Sequence, residues 1–266
     1  MVTLALLVAL LAAPKPYVLS GAEEFALAAD HRVIVGLPRG YESSGKTYRM
    51  LVVTDGDYGF PLVYGVARFL ADRGELEPLV VVGLDYPGVS EKGFGPLYQR
   101  TRTRDFTPTH VADVGYGPEA SRESGGADRF LDFIAKELLP YLGAHYRVNL
   151  ADVGHLGYSF GGLLSSYALV TRPGLFRRAL IVSPSLWYDG GYVFRVKRAP
   201  GIEARVYWAI GSREGTMVGE MRRFVRELPS RVESKVWVAD DETHHSVFPG
   251  AAMRGLRWLY PPGSSR

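Results

Sequence analysis

Residues 154–162, GHLGYSFGG, constrain this chain more than any other stretch. They hold Gly157-Tyr158-Ser159-Phe160-Gly161, a G-x-S-x-G pattern, between a short apolar run over 153–156 and a helix-like run over 163–171, LLSSYALVT. Strand, sharp turn and helix in that order make a nucleophile elbow, in which a serine hydroxyl stands clear of a sheet edge. Residues without bulk at 157 and 161 let backbone pass close to backbone. The following helix aims its free N–H groups and the positive end of its dipole at the place where an oxyanion would develop. The simpler reading is a glycine-rich turn whose serine only caps a helix; the flanking strand and helix favour the elbow.

The rest of the chain supplies the sheet that such an elbow needs. Strands are expected over 49–54, 79–83, 179–182, 204–210 and 235–239, and helices over 62–72, 130–142, 220–228 and 250–260. Pro140 falls inside the last turn of the second of these helices. Upstream, 30–37 reads as a strand and 17–28 as an edge strand and turn. Nearly continuous β-branched strands are those buried on both faces. Their alternation with helices predicts an α/β architecture: a mostly parallel central sheet with helices on both faces. Its size suits one domain over 14–266, with two small domains as the alternative. Residues 85–127, rich in Gly, Pro, Thr and Arg, read as one long irregular loop near the active site.

Several functions are excluded on composition. The 266 residues include no cysteine, which removes disulfides, zinc–thiolate sites and a cysteine nucleophile. The formal charge of +3 is scattered, with no basic run of the kind a nucleic-acid arm carries. No internal apolar run reaches the roughly 18 residues of a membrane span. Residues 1–13, MVTLALLVALLAA, fit the apolar region of a signal peptide with Ala13 as the last residue before cleavage, although no Lys or Arg precedes them. That reading places the chain in the periplasm or outside the cell; if the run is instead a helix docked on the domain, the chain is cytoplasmic.

In a parallel sheet, reacting groups gather at the carboxyl ends of strands. Those ends are Asp55-Gly56-Asp57, Ser159, residues 183–189, residues 211–214 and residues 240–245. A serine hydrolase needs a base beside the serine and a carboxylate to orient it, here in the order Ser, Asp/Glu, His. His244 and His245 follow the last strand, and Glu214 follows the one before it, with Asp240 as the rival acid. His31, His110, His145 and His155 lie away from such ends and are read as structural. The oxyanion donors expected are the N–H of Phe160 and one from the Gly56-Asp57 loop, each contributing on the order of 3 kcal/mol.

Taken together, these segments resemble the esterase family of α/β-hydrolases that holds siderophore (enterochelin-type) esterases, esterase D-like enzymes, feruloyl esterases and mycolyltransferases. The likeness rests on residues 48–57 (YRMLVVTDGD), 102–108 (RTRDFTP), the elbow, 183–187 (SPSLW) and His244-x-Ser246-Val247, and it spans about residues 30–260. It implies Ser159 as nucleophile, His244 rather than His245 as base, Glu214 as acid and Asp57 as the second oxyanion donor. It also implies a serine carboxylesterase acting on a small-molecule ester through an acyl-serine, without metal or organic cofactor. Acyl transfer to an alcohol, or ligand binding without chemistry, are the alternatives. Tyr158, Trp187 and Tyr188 are candidates to wall a pocket. Arg102 and Arg104, with Arg100, are candidates to meet an anionic substrate, or else to pair with Asp105 and nearby acids.

Overall fold

The structure, a computed structural model, describes residues 17–28, 30–89 and 93–263; the signal-peptide reading of 1–13 falls outside them. Eight strands form one sheet: β1 Ala22–Leu27, β2 His31–Gly36, β3 Tyr48–Val53, β4 Leu79–Asp85, β5 Val148–Tyr158, β6 Arg178–Val182, β7 Ala204–Gly211 and β8 Val232–Ala239. Their order is β1-β2-β4-β3-β5-β6-β7-β8. β2 runs antiparallel to both its neighbours, and every pairing from β4 to β8 is parallel.

The period of two along each strand divides the core into two layers. Met50 and Val52 of β3, Val80 and Val82 of β4, Ile181 of β6 and Val206, Trp208 and Ile210 of β7 face one layer. Leu51 and Val53, Leu79 and Val81, Leu180 and Val182, and Tyr207 and Ala209 face the other. The first layer is closed by α5 Ala127–Phe133, α7 Phe160–Thr171 and α9 Thr216–Arg226, through Phe130, Leu163 and Phe224. The second is closed by α2 Gly56–Asp72 and α10 Val247–Leu259, through Phe60, Tyr64, Ala251 and Leu256. Short α1 Tyr41–Ser44, α3 Pro96–Phe106, α4 Pro118–Glu123, α6 Leu139–His145 and α8 Tyr188–Arg195 complete the periphery.

Two expectations are corrected. Residues 85–127 are not one irregular loop: they contain α3 Pro96–Phe106 and α4 Pro118–Glu123. The α3 segment hides its helical period because the face it buries carries an arginine, Tyr98-x3-Arg102-x3-Phe106, in place of an apolar stripe. The helix expected over 130–142 runs from Ala127 to His145 as α5, a π turn over Ile134–Leu138, and α6 Leu139–His145. Proline lacks the N–H that would continue an α-helical ladder. The chain loosens just before Pro140, with Leu139 N–H bonding back to Ile134 O.

The sheet brings carboxyl ends together with little slack. A Cβ built on Gly157, near the end of β5, would lie 2.0 Å from Gly161 O. Gly157→Ala is therefore expected to lose about 3 kcal/mol or more, since backbone must shift to admit the methyl group; urea unfolding of the purified variant measures it.

Asp85 at the end of β4 is 1% exposed and faces Arg32 across the strand pair, Nη1 to Oδ2 3.3 Å. Burial raises its carboxyl to about 6, against the opposing N–H of Tyr86. A carboxyl raised in the native state contributes stability that is present below its unfolded pKa and lost as pH rises through the native one. The stability difference between wild type and Asp85→Asn should therefore shift in favour of the variant between pH 3.8 and about 6, and stay flat above that range, in denaturant titrations run across pH.

Candidate active site

Ser159 stands between β5 and α7 with φ 58° and ψ −114°, a conformation that L side chains rarely adopt. Such strain costs on the order of 1–3 kcal/mol and persists only where the surroundings over-determine it. They do so here. Ser159 N–H donates to Val182 O at 3.0 Å, and Ser159 O accepts from Leu163 N–H at 2.9 Å and Ser185 N–H at 3.1 Å. Glycines at 161 and 162 let the turn close: a Cβ would meet Thr54 Oγ1 at 2.7 Å and Pro184 Cα at 3.0 Å.

From this turn a hydrogen-bonded line runs outward. Ser159 Oγ is 3.1 Å from His244 Nε2, and His244 Nδ1 is 2.6 Å from Glu214 Oε2. The other oxygen of Glu214 accepts from Ser183 Oγ and from Gly211 N–H, both at 2.7 Å. Burial alone would raise this carboxyl, but the bonds from His244, Ser183 and Gly211 outweigh it, so its pKa lies below the ordinary value. Glu214 is held in a 3-10 turn, Ser212–Glu214, directly after β7. The loop carrying His244 is brought against it because Gly211 has no side chain: a Cβ there would sit 2.2 Å from Glu242 O. Thr243 and Ser246 then cross-bond through their own N–H groups and hydroxyls, which fixes the turn at His244.

The two open alternatives fall on different geometry. His245 does not reach Ser159; its Nδ1 lies 2.9 Å from Tyr158 Oη. Asp240 is exposed at the end of β8, and the carboxylate on His244 is that of Glu214. The four other histidines rest on structural partners. His155 is fully buried, bonded to Ser165 Oγ at 2.7 Å and stacked on Phe176, and burial pushes it down to about 3. His31 stacks on Phe133, while His110 and His145 bond to Ser124 and the Tyr141 carbonyl.

Phe160 opens α7, and Asp57 is the second residue of α2, so both backbone N–H groups belong to first turns that lack intrahelical partners. The loop leading to Asp57 is anchored from below. Asp55, in the left-handed region at φ 56°, receives two hydrogen bonds from Arg102, Nε and Nη2 each at 3.1 Å. Gly56 presses on the end of β4, where a Cβ would lie 2.9 Å from Leu84 O.

A cleft of about 760 Å³ opens over Ser159 and His244. Tyr158 lines it, as does Arg102, but the Arg102 guanidinium is 4% exposed and paired with Asp55. Arg104 pairs instead with Asp105 and Asp30, at 2.7 and 2.9 Å, and Arg100 with Glu123 at 3.4 Å. Tyr188 is not a wall residue: it is buried, its hydroxyl donating to Thr109 O at 2.8 Å. Trp187 is 43% exposed and packs its ring at 6.1 Å from that of Phe160, outside the lining. The wall comes from residues the sequence reading did not single out: Tyr58, Phe94, Tyr98, Tyr116 and Phe248. Tyr98 carried a usable signal, lying four residues before Arg102 on one helical face. Among the described residues no cluster of His, Cys, Asp or Glu could hold a metal ion, and no helix is long and apolar enough to cross a membrane.

The chain is similar to several known proteins. It is 41% identical over 113 residues to the siderophore triacetylfusarinine C esterase of Aspergillus fumigatus, covering 41% of this chain and 34% of that one. The alignment thus spans about a third of the fungal relative. The ferri-bacillibactin esterase BesA of Bacillus subtilis is 25% identical over 238 residues, 81% of this chain and 80% of its own. The crystal structure of the BES protein from Bacillus cereus superposes with a TM-score of 0.77 at 23% identity, over 94% of this chain and 98% of that one, which speaks for the shared fold. Residues 26–255 match the family described as "Putative esterase", and the chain belongs to that family.

Proposed function

We propose that the protein hydrolyses carboxylic esters through an acyl-serine intermediate, with the ester of a siderophore-type small molecule as its natural substrate class. The observation that carries the reading is the line from Ser159 Oγ through His244 to Glu214, at 3.1 and 2.6 Å, in the floor of an open cleft. The substrate class leans on the names of the relatives.

His244 Nε2 takes the proton of Ser159 Oγ as the oxygen attacks the carbonyl carbon. The carbonyl oxygen becomes an oxyanion held by the N–H groups of Phe160 and Asp57, donors fixed in place before the reaction. The imidazolium is stabilised by Glu214, whose ionised form is favoured by three hydrogen bonds. His244 then gives its proton to the departing alcohol oxygen, and the C–O bond breaks to leave an acyl ester on Ser159. A water molecule, deprotonated by His244, attacks that acyl carbon; the acid leaves and Ser159 recovers its proton.

A fluorophosphonate probe tests nucleophile and base together. Peptide mapping should find the label on Ser159, absent in Ser159→Ala, sharply reduced in His244→Ala and retained in His245→Ala; label retained at wild-type rate in His244→Ala would remove the base from the scheme. The acid is tested separately. Glu214→Gln sets an amide NH2 or a weaker acceptor against three donors, so kcat is expected to fall about 10³- to 10⁴-fold with the fold intact by circular dichroism. A fall below tenfold would leave Ser159 and His244 working as a pair.

A further inference from the structure

The cleft above Ser159 has an unusual balance of ring and charge. Its upper rim is aromatic and exposed: Phe94 is 68% and Tyr116 44% accessible. These rings are not loose. Phe94 packs on Tyr58 and Tyr98 at centroid distances of 5.4 and 5.1 Å, and Tyr116 meets Phe160 edge-on at 5.7 Å. Tyr58 in turn meets Tyr158 at 90° and 6.4 Å, and Tyr158 lies 4.9 Å from the His244 ring. A continuous aromatic wall therefore leads from solvent to the catalytic imidazole. Rings left this exposed at the mouth of a cavity suit an aromatic ligand, since ring–ring contact adds to the burial of apolar area.

Charge is spent elsewhere. Among the described residues lining the cleft, Arg102 is the one permanently charged side chain, and both its bonds go to Asp55. Arg100 and Arg104 are paired with Glu123 and with Asp105 and Asp30. Behind the floor stand the carboxylates of Asp55 and Glu214, 1% and 2% exposed. A substrate anion seated against the wall would give up hydration with no unpaired guanidinium or ammonium among the described residues lining the cleft to replace it.

We infer that the cleft selects an uncharged ester bearing an aromatic ring, seated between Phe94 and Tyr116, and discriminates against esters that carry a carboxylate or another anion on that ring. The inference rests on the hydrolase reading for the word ester; the selection itself is a property of the walls. It is tested by equilibrium binding to Ser159→Ala, in which the cleft remains and turnover stops. The probes are methyl 4-nitrobenzoate and monomethyl terephthalate, which share ring and ester and differ by a planar nitro group against a planar carboxylate. Calorimetry at neutral pH should find the neutral ester at least about tenfold tighter. In the same background Phe94→Ala and Tyr116→Ala should each weaken the neutral ester about three- to tenfold, and Tyr116→Phe should restore it. Equal affinity, tighter binding of the carboxylate, or indifference to both alanine substitutions would overturn the selection while leaving hydrolysis standing. Tight, ring-dependent binding with no wild-type turnover of either ester would uphold the selection and count against the hydrolase reading.

Discussion

The pair between Arg102 and Asp55 ties the candidate site to the helix that lines one side of its cleft. Both residues are almost wholly buried, and a buried ion pair is no source of stability by default: desolvation of the two charges offsets most of their attraction. This one is helped by its fork-to-carboxylate geometry and by three rings around the guanidinium, Tyr98, Phe106 and Phe160, at 5.1, 5.7 and 5.4 Å. Removing one partner from such a pair costs about 3–5 kcal/mol, because the other charge is left buried alone. The pair thus locks α3 onto the loop that ends β3. That loop turns through Asp55 in the left-handed region and delivers the N–H of Asp57 beside the elbow. The helix it locks supplies Tyr98 to the cleft wall. One interaction sets both the polar floor and one aromatic side of the site.

The elbow works by a complementary logic, in which space rather than charge is the constraint. Ser159 keeps an unfavourable backbone conformation because strand β6 and the Pro184–Ser185 turn hold its N–H and C=O, and because three glycines let α7 approach β5 and that turn. The same device recurs at Gly211, where the missing Cβ lets the His244 loop sit on the end of β7. The strain sits at the carboxyl end of β5 and the close approach at that of β7, two positions along one parallel sheet, so the sheet fixes the spacing of Ser159, Glu214 and His244 to within hydrogen-bond tolerance. Preorganisation of this kind is what lets fixed dipoles stabilise charge without rearranging during reaction.

How much of this could be read from the sequence depended on whether the signal was local. Strands β3, β4 and β6 announce themselves as buried apolar runs, β5 and β8 only over their carboxyl-terminal halves, and the elbow as a nine-residue pattern. Glu214 and Asp240 were both plausible by position, and only the path of the backbone after β7 separates them: Gly211 N–H and Ser183 Oγ hold Glu214, while Asp240 points to solvent. His244 and His245 are adjacent in sequence and differ by which way one turn faces, which no periodicity encodes. The irregular reading of 85–127 failed because α3 buries charge, so a scale that counts apolar residues sees no stripe. The cleft wall was missed for another reason: its rings come from α2, α3, α10 and two loops, and nothing local links Tyr58, Phe94, Tyr116 and Phe248. Trp187 and Tyr188, by contrast, follow the end of β6 as wall residues would, yet one packs beside Phe160 and the other anchors to Thr109.

The arginine cluster illustrates why residue type underdetermines role. Three guanidiniums spaced two apart near a reactive serine invite an anion-binding reading, yet spacing of two on a helix fans side chains around the axis instead of converging them. Arg102 points inward to Asp55, and Arg104 turns away to Asp105 and Asp30, where its attraction, with that of His31, overcomes burial and holds the Asp105 carboxyl below its ordinary pKa. Each cation is consumed by an acid from the scaffold, which converts a would-be recognition site into a brace for α3. The cleft is consequently left with rings, neutral amide and hydroxyl groups, and the His244 imidazole as the one lining group that the scheme requires to gain charge during turnover. A site of that kind leaves binding to shape and ring contact.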